Sequence, residues 1–183
     1  MAKLVNAVGG GGLGVDLDLV SIAKRDDIVD IQYEPEIAPS LCFRFQKGKE
    51  TPTVILYRTG SFSIAGAKNV QDLETTYKKL LKYIEKLGLK PEEEHFEVRY
   101  LVYKFDIGRE IDLIELYNHF DSELVEYEPE QFPQLKYSPE QYGGVFMISR
   151  TGSMIYTGDN SSENAESAID EVSKQILTLL NIE

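Results

Sequence analysis

Tyr33-Glu34-Pro35-Glu36 recurs letter for letter as Tyr127-Glu128-Pro129-Glu130, 94 residues later. Leu17-Asp18-Leu19 returns as Ile111-Asp112-Leu113 at the same offset, and Arg58-Thr59-Gly60-Ser61 returns as Arg150-Thr151-Gly152-Ser153 at an offset of 92. Ala65-Gly66-Ala67-Lys68 aligns with Thr157-Gly158-Asp159-Asn160, also at 92. A single shared tetrapeptide arises by chance. Ordered landmarks separated by one two-residue deletion, which a loop tolerates, mark an internal duplication. The repeats are expected at 1–89 and 95–183, with a linker at 90–94.

Each repeat reads with the same elements. A short strand (Leu4–Val8; Val98–Phe105) precedes a short amphipathic segment (Leu17–Ala23; Ile111–Phe120). Extended segments at Leu41–Phe45 and Leu135–Tyr137 follow. Hairpins then pair Val54–Tyr57 with Phe62–Ala65 and Val145–Ser149 with Met154–Thr157. Both turn at Arg-Thr-Gly-Ser, where Gly supplies the positive φ of a tight turn. A long helix closes each repeat. Its apolar stripe is Leu73, Tyr77, Leu80, Leu81, Ile84 and Leu87 in the first, and Ala165, Ala168, Ile169, Val172, Ile176 and Leu180 in the second. Asn69 with Asp72, and Asn160 with Glu163, are the expected capping pairs; Gly88 and Pro91 end the first helix. The order is strand, helix, about four strands, helix, twice over. It predicts an α+β fold in which two tandem pseudo-symmetric repeats form a curved, saddle-shaped antiparallel sheet with helices on its convex face. The opposite sheet face is left open, and an open face of this kind calls for a partner.

The chain has 183 residues and a net charge of -12, unevenly spread. Residues 1–90 carry 13 Lys and Arg against 11 Asp and Glu; residues 91–183 carry 6 against 20. Taken whole, this charge argues against a nucleic-acid ligand. Taken by halves, it says that the repeats do not meet the same partner in the same way. No apolar run is long enough for a membrane span, and Met1–Val8 is too short for a signal peptide. The single cysteine, Cys42, excludes an intrachain disulfide and a cysteine-based zinc site. These features fit a cytoplasmic protein, or a nuclear one in a cell with a nucleus.

The landmarks resemble the core of the archaeal and eukaryotic TATA-box-binding protein family. Tyr127-Glu128-Pro129-Glu130-Gln131-Phe132-Pro133 is similar to that family's Tyr-Glu-Pro-Glu-x-Phe-Pro-Gly. Ile55 to Lys68 resembles its apolar strand, turn and Thr-Gly-Ala-Lys, and Asn6 to Leu19 resembles its opening strand. The resemblance covers nearly the whole chain. It implies a transcription factor, not an enzyme and without a cofactor, that lays an apolar sheet face on the A·T-rich DNA minor groove. Phenylalanine pairs would wedge the base steps, asparagines would read the acceptor pattern, and marginal cations would hold phosphates.

Position by position, the implied nucleic-acid contacts are Asn6, Val8, Arg44, Ile55, Tyr57 and Lys68 in the first repeat, and Phe132, Ile155 and Thr157 in the second. Departures from the family pattern are concentrated in the second repeat. The counterpart of Asn6 is Tyr100; those of Arg44 and Lys68 are Ser138 and Asn160. The phenylalanine pairs become Ala38 with Tyr57, and Phe132 with Ser149; the turn lysines become Ser61 and Ser153. Weak or atypical duplex binding is therefore expected, with the first repeat the better DNA face. Glu128, Glu130 and Gln131 match the surface that the family presents to transcription factor B. A plain turn entering a strand explains the same motif equally well. If docking survives while DNA binding fades, the chain is a module that binds transcription factor B, or another protein, without tight DNA binding.

Gly9-Gly10-Gly11-Gly12-Leu13-Gly14 also satisfies the dinucleotide pattern G-x-G-x-x-G, with Glu34 about 20 residues on. The short segment after it and the lack of βαβ alternation weigh against a nucleotide site. Neither reading explains why four consecutive glycines are needed. His95, in the linker region, and His119 share no metal-ligand spacing, and no nucleophile elbow is present. Cys42, between Leu41 and Phe43, reads as a core residue.

Overall fold

The hairpins follow directly from alternation. In the computed structural model, which describes residues 2–48 and 50–180, strand β4 (Thr53–Tyr57) turns through Arg58–Gly60 into β5 (Ser61–Ala67). Val54, Leu56, Phe62 and Ile64 are buried, while Thr53, Ile55, Ser63 and Ala65 face the other way and stay partly exposed. Gly60 takes φ +80 and donates its N–H to Tyr57 O at 3.0 Å. β9 (Val145–Ile148) and β10 (Ser153–Thr157) repeat the arrangement, with Gly152 at φ +86 donating to Ser149 O at 3.0 Å.

The remaining elements are β1 (Lys3–Gly12), α1 (Leu19–Ile22), β2 (Val29–Gln32), β3 (Ser40–Arg44), α2 (Val70–Lys86), β6 (His95–Asp106), α3 (Leu113–His119), β7 (Val125–Glu126), β8 (Leu135–Tyr137) and α4 (Ser162–Leu179). The chain divides into two compact units, Asn6–Arg99 and Met1–Val5 with Tyr100–Glu183. In the first, the strand order is β2-β3-β4-β5-β1; in the second it is β6-β10-β9-β8-β7. These neighbours pair antiparallel. With helices after the strand runs, this is the expected α+β class. The compact units differ from the sequence repeats, because β1 and β6 each give residues to both units. Residues 1, 49 and 181–183 of the expected repeats lie outside the described residues.

Each long helix covers one face of its unit. On α2, Leu73, Leu80 and Ile84 are fully buried; Tyr77 stacks on Phe62 at 5.5 Å and Tyr83 packs on Phe43 at 5.8 Å. On α4, Ala165, Ala168, Ile169, Val172 and Ile176 are buried, above a core containing Phe146, Ile148, Met154 and Tyr156. Burying a side chain of this size stabilises by about 1.5–3 kcal/mol. The centres of both expected stripes therefore face a core; Leu81 is half-buried, Leu87 and Leu180 are half-buried caps beyond the helices, and Tyr83 joins the buried face of α2.

Some expectations are corrected. Asn69 caps α2 as expected, with Oδ1 accepting the Asp72 N–H at 2.8 Å. The cap of α4 is Ser161 rather than Asn160; its Oγ accepts the Asn164 N–H at 3.3 Å. The Ser161 N–H is itself held by Asp159 Oδ1 at 2.9 Å, which fixes the chain one residue later than the spacing suggested. Each repeat also holds a short edge strand to which no segment is assigned above: β2, whose Val29-Asp30-Ile31-Gln32 alternates, and the two-residue β7. Cys42 is not in the core: Leu41 and Phe43 point inward, so pleating turns Cys42 to the open face opposite Ile55. His95 opens β6 instead of lying in a linker. The glycine run forms the end of β1, and the next helix has only four residues, so no phosphate-binding loop precedes a helix here.

Candidate nucleic-acid interface

Register fixes which residues share the open face, since side chains directly opposite in a sheet project to the same side. In the unit Asn6–Arg99, one row across the strands is Gly10, Ser63, Ile55, Cys42 and Gln32. In the other unit, the equivalent row is Lys104, Ile155, Met147, Lys136 and Glu126. Every member of the second row lies 92 or 94 residues after its counterpart, so the duplication extends to register.

The first unit brings several expected residues onto this face. Ile55 is half-buried in the row. Tyr57 ends β4 opposite Ser40 and is 37% exposed. Arg44 ends β3 at the opposite end of the strand pair. Its Nε donates to Thr53 Oγ1 at 3.1 Å and its Nη1 meets Asp30 Oδ2 at 3.1 Å. Lys68, just beyond β5, pairs with Glu50. Asn6 is half-buried and accepts the Gly66 N–H through Oδ1 at 3.0 Å. β5 uses one extra residue there: Ala67 faces Ala7 while Ile64 faces Gly9. Gly66 takes φ +85 in that bulge, so Asn6 satisfies a backbone donor that the ladder leaves over. Val8 is only 6% exposed and offers little free side chain.

In the second unit, Ile155 and Thr157 are half-buried on β10, paired with Met147 and Val145 of β9. Phe132 lies half-buried with Lys136 Nζ 5.3 Å from its ring centroid, and Lys136 also meets Glu126 at 3.1 Å. Ser149, in the second wedge position, accepts a hydrogen bond from Gln134 Nε2 at 2.8 Å. Glu128, Glu130 and Gln131 are all exposed. The Glu128 carbonyl accepts the N–H groups of Gln131 and Phe132 at 2.9 and 2.8 Å; Glu34 O does the same for Ile37 and Ala38, at 2.9 Å each. Both Tyr-Glu-Pro-Glu motifs are thus turns of one design.

Sequence reasoning missed Arg99, Lys104, Lys136 and Ile37. The last is 80% exposed beside the wedge position Ala38. Alternation along β6 marks Lys104, but nothing in the sequence marks Arg99. Among the described residues no cluster of three or more His, Cys, Asp or Glu could hold a metal ion. No described helix is long and apolar enough to cross a membrane. The arrangement offers apolar side chains and cations on sheet faces.

Comparison with known proteins agrees with this geometry. The family model described as transcription factor TFIID (or TATA-binding protein, TBP) matches residues 1–87 and 95–179. The TATA-box-binding protein of Archaeoglobus fulgidus is 30% identical over 178 residues, covering 97% of this chain and 95% of that protein. TATA-box-binding protein C of Halobacterium salinarum is 31% identical over 180 residues, covering 97% and 98%. The solved structure of Methanococcus jannaschii TBP matches with a TM-score of 0.80 at 30% identity, covering 96% of this chain and 97% of that one. Duplicated register, fold and sequence all lead to one assignment: the chain belongs to the transcription factor TFIID, or TATA-binding protein, family.

Proposed function

We propose that the protein is a general transcription factor, or a regulator of transcription, that binds the A·T-rich minor groove of DNA through the open sheet faces of its repeats, 1–89 and 95–183. The observation that carries this reading is the apolar surface left uncovered on those faces: Ile55 and Tyr57 in one unit, Ile155, Met147 and Phe132 in the other. Minor-groove binders insert apolar side chains at a cost of about a few kcal/mol per unstacked step, which surrounding contacts must offset. Tyr57 and Phe132 are the wedges available at the family positions.

Binding is expected to be weak, with the first repeat the stronger face. Arg44 and Lys68 already hold Asp30 and Glu50, so a phosphate must displace a carboxylate from each. Such half-exposed pairs are worth about 0–1 kcal/mol, so exchange lowers the gain without forbidding it. Asn6 has its carbonyl oxygen tied to Gly66, leaving its amide N–H groups to donate to base acceptors.

A second reading is favoured by the exposed Glu128, Glu130 and Gln131: docking of a transcription factor B-like protein without tight DNA binding. An electrophoretic shift with promoter DNA, with and without transcription factor B, tests both. A shift by the protein alone that sharpens with transcription factor B supports the first. Complex formation with transcription factor B and no DNA shift supports the second. Neither complex under low salt overturns both.

A further inference from the structure

The four glycines of β1 make room for a segment that lies against them. Gly9 and Gly11 face Ile64 and Phe62 on the helix-covered side, whereas Gly10 and Gly12 face Ser63 and Ser61 on the open side. A Cβ on Gly9 would come within 2.7 Å of the Phe96 ring, which itself stacks on Tyr77 at 4.7 Å. A Cβ on Gly11 would lie 1.9 Å from the His95 carbonyl oxygen. On the open side, a Cβ on Gly10 would meet the Arg99 guanidinium carbon at 2.7 Å, and one on Gly12 the His95 ring at 2.9 Å. Arg99 Nη1 donates to Ser63 Oγ at 3.0 Å. The Arg99 side chain therefore crosses the backbone of β1 to reach β5, in the space that a side chain at residue 10 would fill.

The charge that this delivers differs from those at the margins. Arg99 is exposed and, among the described residues, has no carboxylate within 4.0 Å, whereas Arg44 and Lys68 are both paired. The residue 94 positions after Gly10 is Lys104, opposite Ile155, exposed and likewise without a carboxylate. Each compact unit thus carries one uncommitted cation in the same row of its open face. On the face of the unit Asn6–Arg99 it comes from residue 99, at the start of the second repeat, across a glycine; on the other it comes from the strand itself.

We propose that the glycine run seats Arg99 as the leading DNA-contacting cation of the first repeat's open face, with Lys104 its counterpart in the second. The inference rests on the DNA-binding reading above. In an A·T-rich minor groove the base edges present only acceptors, adenine N3 and thymine O2, and a narrow groove concentrates negative potential. A guanidinium offers five donors and a permanent charge, and no carboxylate has to leave before it engages.

The test is equilibrium binding of the full chain to a fluorescent A·T-rich duplex over a range of salt, with Arg99→Gln, Arg99→Lys, Lys104→Gln and Arg44→Gln variants. Arg99→Gln removes the charge and, being two bonds shorter than the guanidinium, releases Ser63 as well. It should weaken low-salt binding by roughly 5–10-fold and lower the salt slope by about one; Lys104→Gln should lower the slope similarly. Arg99→Lys should restore the slope, and Arg44→Gln should have the smaller effect. Thermal melts of each variant check folding. If the parent binds and Arg99→Gln binds equally well, or loses no more than Arg44→Gln, the proposal is overturned while the DNA-binding reading stands. A parent that binds no duplex at low salt overturns both.

Discussion

In the first repeat, Leu13 N–H donates to Gly60 O at 3.0 Å and Leu17 N–H to Arg58 O at 2.8 Å. In the second, Ile107 donates to Gly152 at 3.2 Å and Ile111 to Arg150 at 2.8 Å. Asp18 and Asp112 cap the short helices that follow, accepting from Ser21 and Glu115. The open faces have diverged by contrast: Gly10, Ser63 and Cys42 stand where Lys104, Ile155 and Lys136 stand. An ion network has diverged as well. Asp27 holds Arg25 at 2.7 Å and Lys86 at 2.8 Å, while the aligned residues are Asp121, His119 and Thr178. Buried backbone groups left unpaired cost about 1–3 kcal/mol each, so a duplicated fold keeps the devices that satisfy them. Exposed charges contribute about 0–1 kcal/mol and are free to change with the ligand.

The largest effects should be alike in the two repeats. Leu56→Ala and its counterpart Ile148→Ala each empty a fully buried position. Each should cost about 3–4 kcal/mol by urea denaturation. A difference between them of more than about 2 kcal/mol would show that the cores are not equivalent. Next comes a contrast between a crowded glycine and an open one. Gly11→Ala drives a Cβ against the His95 backbone and should cost about 2–3 kcal/mol. Gly143→Ala meets nothing within 4 Å and should change stability by less than about 0.5 kcal/mol. Similar values for the two would contradict the close approach of residues 95–99 to β1.

Smaller effects sharpen the comparison. Asn69→Ala and Ser161→Ala should each cost about 1 kcal/mol of helix stability, and Asn160→Ala well under half that, in thermal melts. A costly Asn160→Ala would return the cap of α4 to that residue. The smallest effect concerns Asp27, whose carboxyl is held well below the ordinary range by hydrogen bonds from Arg25, then Lys86. A depressed folded pKa stabilises above the unfolded value of about 4, and that contribution is lost as pH falls below it. Between pH 5 and 3 the melting temperature should fall less steeply in Asp27→Asn than in the parent. Parallel pH profiles would show that the network does not couple to folding.

The duplication, both hairpins and both helix stripes were legible because local rules fix them: glycine at positive φ, pleat alternation and helical periodicity. β2 and β7 were not: Val29–Gln32 alternates over only four residues and Val125–Glu126 has two, both too short to stand out from the turns beside them. Cys42 was misread because its apolar neighbours hid the alternation. Of the candidate site, the resemblance names Ile55, Tyr57 and Phe132 as expected contacts. The ion pairing of Arg44 and Lys68 and the seating of Arg99 over Gly10 depend on tertiary contacts between segments 14 to 89 residues apart, to which periodicity and spacing are blind. The glycine run is the clearest case. The resemblance places it in the opening strand without explaining why four glycines are needed, and Phe96, His95 and Arg99 lying against it supply the reason.

The most direct test of the central claim, that the repeats share a scaffold but hold DNA weakly through few cations, is the salt dependence of binding to an A·T-rich duplex. With Arg44, Lys68, Arg99 and Lys104 as the cations in play, the log–log slope should be about -3 to -4, with binding measurable at low salt and largely lost at moderate salt. Tight binding that persists at moderate salt with a slope of about -6 or steeper would contradict the account.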